Sequence, residues 1–267
     1  MDFLIDKVSL NGFSMEYLKF GNGRKNLVIL PGLSVQSVLL YSSSVVKQYE
    51  RFTKDFTVYL FDRRMNLPQE YSVSDMADDT AQAVKYLGLK NIYLFGASQG
   101  GMIAMDIAIK NVGLVEKLVL ASTAMHMDEK SVSIVDDWIK LAENHDKENL
   151  FLSFGERIYP EKLFGRFKDV FRDMSEKITD TDLKRFVIMA NGGRDFNVLD
   201  RAYKIKCPVM VISDSDDKIF GIEPVSEMEE RFKLNEGFEM KRYSGFGHAV
   251  YDTSPDFKEK MYNFLKK

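Results

Sequence analysis

Gly96-Ala97-Ser98-Gln99-Gly100 sets a serine between two glycines, directly after the apolar run Ile92 to Phe95 and before a stretch of small residues. In the order strand, sharp turn, helix, such a serine is lifted clear of a sheet. The glycines are needed because the turn crowds its backbone against both strand and helix. A hydroxyl is a poor nucleophile until a base takes its proton, so the pattern calls for a histidine. The chain has three. His126 and His145 fall in or beside a stretch of helical character, whereas His248 follows Gly245-Phe246-Gly247, a loop directly after the run Phe238 to Tyr243. Loops beyond the carboxyl ends of strands are where open α/β sheets build their sites, which makes His248 the expected base.

A carboxylate that orients the imidazole should lie between serine and histidine in chain order, at the end of a strand. The run Val209 to Ile212 leads into Ser213-Asp214-Ser215-Asp216-Asp217, and residue type leaves all three acids in competition. The cluster does not read as a calcium loop, because Lys218 takes the next alternate position and the glycine and distal glutamate are misplaced. The tetrahedral intermediate of acyl chemistry also needs N–H donors. Gln99, the residue after the serine, supplies one. Pro31-Gly32-Leu33-Ser34 follows the run Leu27 to Leu30, and Gly32 permits the backbone turn that would aim the Leu33 N–H inward as the second.

These residues require a sheet to hold them. Short apolar runs at Leu27–Leu30, Val58–Phe61, Ile92–Phe95, Leu118–Leu120 and Val209–Ile212, with a weaker one at Phe238–Tyr243, alternate with segments of helical period, as in a mostly parallel sheet covered by helices. Val8–Leu10 and Ser14–Lys19 flank Asn11-Gly12, a pair that favours a tight hairpin, so an antiparallel edge is expected first. Ser74 is the expected cap of a helix with the face Met76, Thr80, Ala83, Val84 and Leu87, stopped by Gly88. Gln99 to Lys110 reads as the next helix. From Met125 to Lys204 charged residues alternate with Trp138, Phe151, Phe154, Phe164, Phe167, Phe171 and Phe186, without a strand run; this reads as a helical insertion whose aromatics form its own core.

Lys plus Arg total 37 against 40 Asp plus Glu, a net charge of −3 that leaves no basic footprint for nucleic acid. No stretch approaches the roughly 20 apolar residues of a membrane span. Met1 to Asp6 lacks the basic start and long apolar stretch of a signal peptide, and Cys207 is the only cysteine; a cytoplasmic setting is expected. HExxH, CxxC and a strand-borne GxGxxG are all missing, so neither metal nor dinucleotide is expected as cofactor. Nothing separates monomer from homodimer.

With these segments in place the chain resembles the α/β-hydrolase fold superfamily over nearly its whole length, particularly its small capped esterase-like members. The likeness rests on Pro31-Gly32, Asp62-Arg63-Arg64, Gly96 to Gly101, Cys207-Pro208 through Ser213 to Asp217, and Gly247-His248-Ala249. Aligning the family's strand-Gly-x-x-Asp pattern on Pro208 puts Asp217 at the acid; Asp214 replaces the glycine of that pattern, and Asp216 stays as the alternative acid. Met65-Asn66-Leu67-Pro68 replaces a frequent glycine-rich stretch. The resemblance implies an α/β core of residues 1–124 and 205–267, with a helical cap inserted as 125–204. It implies a cofactor-free hydrolase that cleaves a small carboxylic ester or thioester with an apolar acyl group through an acyl-Ser98 intermediate. The pocket would be lined by Leu33, Met102, Met125, Trp138 and Phe154. The same triad could serve carbon–carbon, lactone or amide hydrolysis or acyl transfer, and a slow-turnover small-molecule receptor is the reading from another class. Dehalogenase and classical epoxide hydrolase chemistry are disfavoured, since those relatives carry an aspartate where Ser98 stands.

Overall fold

Eight strands form one sheet in the computed structural model, which describes every residue except Asn11. They are β1 (Phe3–Leu10), β2 (Phe13–Phe20), β3 (Lys25–Leu30), β4 (Phe56–Arg64), β5 (Ile92–Ala97), β6 (Val115–Ala121), β7 (Val209–Asp214) and β8 (Glu239–Tyr243), in the spatial order β1-β2-β4-β3-β5-β6-β7-β8. β1 with β2 and β2 with β4 are antiparallel, and every other pairing is parallel. The expected hairpin pair includes Asn11, which lies outside the described residues; on its flanks Leu10 faces Phe13.

Alternation along the strands divides the core between the two faces of the sheet. Val28, Leu30 and Leu94 join one cluster, and Leu27, Ile29 and Phe95 join the other. β5 and β7 are buried at every position, as a strand covered on both faces must be. The helices in chain order are α1 (Ser42–Gln48), α2 (Val73–Tyr86), α3 (Gln99–Lys110), α4 (Glu129–Glu143), α5 (Lys147–Ile158), α6 (Glu161–Ser175), α7 (Asp180–Asn191), α8 (Ile222–Phe232), α9 (Val250–Thr253) and α10 (Phe257–Lys266). α2, α3 and α8 cover the first face; α1, α9 and α10 cover the second.

The start of α2 differs from expectation. Ser72, not Ser74, is its cap: the Ser72 hydroxyl accepts the Asp75 N–H at 3.1 Å while the Asp75 carboxylate accepts the Ser72 N–H at 2.9 Å. This reciprocal box satisfies two helix-end donors together and outcompetes a lone serine two residues on. Gly88 ends the helix at φ +70°, its N–H bonded to the Lys85 carbonyl.

Four helices, α4 to α7, stand between β6 and β7, packed α4 on α5, α5 on α6 and α4 on α7. Asp128, Asp146 and Thr179 cap three of them through hydrogen bonds to the N–H groups of Ser131, Asn149 and Asp182. Trp138, Phe151 and Phe186 are buried and continue the core of the first face. Phe167 departs from the expected insertion core, because it lies on the outer side of α6 at 48% exposure.

Candidate active site

Ser98 sits at the junction of β5 and α3 with φ 53° and ψ −124°, a conformation that L residues rarely hold and that costs on the order of 1–3 kcal/mol. The surrounding bonds offset it. The Ser98 N–H donates to the Ala121 carbonyl at 2.9 Å, and the Ser98 carbonyl accepts from Gly101 N at 2.8 Å. The flanking glycines are sterically obligatory: a Cβ on Gly96 would lie 2.3 Å from the Gly100 carbonyl oxygen, and one on Gly100 would lie 2.1 Å from that of Leu30. The strained turn is therefore closed on both sides by backbone, and the serine side chain is left half-buried at the top of the sheet.

His248 is buried at 2% exposure, and its Nδ1 lies 2.8 Å from Oδ2 of Asp217, itself buried. The other carboxylate oxygen of Asp217 accepts the Ile219 and Phe220 N–H groups at 2.8 and 3.1 Å. Burial on its own would raise the Asp217 carboxyl, but the charge of His248 and these hydrogen bonds outweigh it and hold the group below the ordinary carboxylate value. With Nδ1 engaged by a fixed acceptor, the ring presents Nε2 as its free nitrogen.

The three acids after β7 have separate partners. Asp214 accepts the Asp216 N–H at 2.8 Å and the Phe246 N–H at 2.9 Å; Asp216 accepts the Gly245 N–H at 2.6 Å and the Ser244 hydroxyl at 2.9 Å. Of the three, Asp217 is the one bonded to His248. The other two tie down the turn that carries it.

Ser98 and His248 line one cavity of about 50 Å³, without a direct hydrogen bond between them in this arrangement. Leu33, Gln99, Met102, Trp138 and Phe154 line it as well. Gln99 opens α3, where an N–H has no acceptor within its own helix. Its side chain donates to the Met189 carbonyl at 2.7 Å, so α7 is bonded directly to the serine turn. Arg63, buried near the end of β4, donates to the Pro31 carbonyl at 2.7 Å and fixes the loop that carries Leu33. Burial pulls its guanidinium down to about 10, against the pull of Asp62, and it stays protonated at neutral pH.

Met125 does not reach the cavity. The chain leaving β6 passes beneath the helices, where Met125 is fully buried in the core and its carbonyl accepts the Val198 N–H at 2.8 Å; Met127 lines the cavity instead. His126 pairs with Glu227 and His145 with Asp180, both outside the cavity wall. Ile158, Phe220 and Tyr251 also line the cavity, beyond what the sequence patterns point to. Only Phe220 carries a local signal, standing three residues after Asp217; its ring centroid is 5.7 Å from that of His248.

The chain is similar to known proteins over most of its length. The chain is 26% identical to a protein assigned as the carbamate hydrolase RutD in Agrobacterium fabrum, over 82% of this chain and 86% of that one. It is 22% identical to the human serine hydrolase BPHL, over 80% of this chain and 70% of the relative. Among solved structures it superposes with TM-score 0.87 and 18% identity on MGS-M2, an alpha/beta hydrolase enzyme from a Medee basin deep-sea metagenome library, covering 98% of both chains. It superposes with TM-score 0.83 and 17% identity on the enol-lactonase from Burkholderia xenovorans, covering 98% of this chain and all of that one. The family model of the alpha/beta hydrolase fold matches residues 25–255, and on that match, with this sheet and this strand order, the chain belongs to the α/β-hydrolase fold family.

Proposed function

We propose that this protein is a serine hydrolase of the carboxylesterase class, cleaving a small carboxylic ester or thioester through an acyl-enzyme. The observation that carries the reading is the buried His248–Asp217 pair at 2.8 Å, set on the wall of the cavity that holds Ser98 at its strained turn.

In this mechanism Ser98 Oγ attacks the carbonyl carbon as its proton passes to His248 Nε2, and the carbonyl electron pair moves to oxygen. The N–H groups of Leu33 and Gln99 receive that oxyanion. Asp217 holds the ring orientation and stabilises the imidazolium. Collapse of the intermediate breaks the bond to the alcohol or thiol, which leaves with the proton from His248. Water, deprotonated by the same ring, then attacks the acyl-Ser98 carbonyl and releases the carboxylic acid. The helices between residues 125 and 204 act as the cap of the site, with Trp138 and Phe154 as the apolar wall against the substrate. No helix among the described residues is long and apolar enough to cross a membrane; together with the lone Cys207 this suits a cytoplasmic role on small-molecule substrates. The RutD relatives favour one second reading, in which a carbamate undergoes the same attack.

Labelling with a fluorophosphonate tests the reading. Native protein should be labelled rapidly at Ser98, and Ser98→Ala and His248→Ala should not be labelled. A folded native protein that stays unlabelled sinks the activated-serine reading.

A further inference from the structure

Two open spaces meet beside Ser98, and they differ greatly in size. Ser98 and His248 line only the smaller, of about 50 Å³. The larger, of about 480 Å³, is walled by Val38 and Val45 around α1 and by Phe151 of α5 and Phe171 and Met174 of α6. Gly32, Leu33, Phe154, Ile158 and Tyr251 line both, so the loop that carries the Leu33 amide is also the threshold between them. The larger has nearly ten times the space of the smaller, room for a chain against room for a short group. Among the described residues the larger chamber has one charged side chain on its wall, Asp252, and Lys258 Nζ stands 3.7 Å from that carboxylate.

Resting on the acyl-Ser98 reading above, we infer that the substrate is a strongly asymmetric ester. One arm is short and sits against Ser98 and His248, and the other is an uncharged apolar chain of about eight carbons that passes Leu33 and Phe154 into the larger chamber. An ester short on both arms leaves the larger space empty, and an ester long on both arms cannot place its carbonyl at Ser98. Each methylene seated in an apolar chamber favours binding by about fourfold, so the long arm carries the selectivity.

Two series of esters read this directly: acetates of ethanol, butanol and octanol, and ethyl esters of acetic, butanoic and octanoic acids. The expected result is that kcat/KM rises at least about tenfold from two to eight carbons in one series and falls in the other. A carboxylate at the far end of the favoured chain should cancel the gain. Ser44, exposed, and Val45, half-buried, line the far wall, so Ser44→Trp and Val45→Phe should bring the eight-to-two-carbon ratio to about one or below without crowding the sheet. Native protein that accepts or rejects length equally in both series, or a ratio unmoved by both variants, overturns the inference. Binding of 1-octanol, followed as a rise in melting temperature, separates this from the serine reading. A rise in native protein that Ser44→Trp abolishes supports the chamber even if no ester turns over. Labelled Ser98 without length selectivity removes the chamber and leaves the serine chemistry standing.

Discussion

The Asp214 carboxylate at the end of β7 accepts the Phe246 N–H at 2.9 Å, two residues before His248. Asp214 stands where the family pattern has glycine, and with it this chain gains a strut from the acid-bearing strand to the histidine-bearing loop. Asp214→Ala leaves the Phe246 and Asp216 N–H groups without that acceptor, so it should destabilise the fold by about 1–3 kcal/mol, measured by urea unfolding. It should also lower kcat more than it raises KM, because the loop aims the base. A variant with unchanged kcat would show that the strut only holds the fold.

The three acids can be separated by kinetics. Asp217→Asn should lower kcat by about 10³ to 10⁴, since an amide cannot stabilise the imidazolium and admits the wrong ring tautomer. Asp216→Asn keeps an oxygen toward Gly245 and Ser244 and should cost less than about tenfold. The reverse ranking would make Asp216 the acid.

Stability should also carry the imprint of Asp217 as pH falls. The folded protein holds this carboxyl below its ordinary value, and the unfolded chain does not, so acidification protonates the unfolded state first. The contribution is complete above the unfolded value of about 3.9 and is lost as pH drops through the folded one. Urea midpoints of native protein and Asp217→Asn should therefore differ at pH 6, and the gap should narrow as pH falls below the unfolded value of about 3.9. A gap that stays constant would mean the ionised form gains nothing from its surroundings.

Strand runs buried on both faces, as in β5 and β7, are legible in the sequence because a continuous apolar run has few other homes. Ser98 is legible through its glycines, and His248 through scarcity and position. The partner of His248 is not legible from residue type, because Asp214, Asp216 and Asp217 are alike and their partners lie about thirty residues away on another loop; only the family pattern aligned on Pro208 points to Asp217. Walls such as Ile158 and Tyr251 come from a helix end and a short helix that meet only in the folded state, and nothing local marks them. Ser72 is hard to pick out because its box closes with an aspartate where glutamate or glutamine is the usual partner. Met125 fails for a different reason: apolar character says that a residue is enclosed, not which cavity encloses it.

The glycines offer a paired test of backbone space. Gly100→Ala must displace the Leu30 carbonyl and should cost at least about 3 kcal/mol or prevent folding. Gly165 lies inside α6, and an alanine methyl there would meet nothing within 4 Å, so Gly165→Ala should gain about 0.5–1 kcal/mol. Thermal unfolding of the two variants checks both signs together.

Cys207 should be chemically silent in the folded protein. Burial pushes its thiol up to about 12, so little thiolate exists at pH 8. A thiol reagent should react slowly with native protein and fast in urea, and comparable rates would contradict this.

The carboxyl end of α5 touches the loops of both His248 and Asp217: the Ile158 carbonyl accepts the N–H of Ala249, next to His248, and the Glu156 carbonyl accepts Lys218 Nζ, next to Asp217. Ile158 also lines the two spaces beside Ser98. One helix end is thus bonded to the neighbours of both His248 and Asp217, so a displacement of it would be felt at the two residues together.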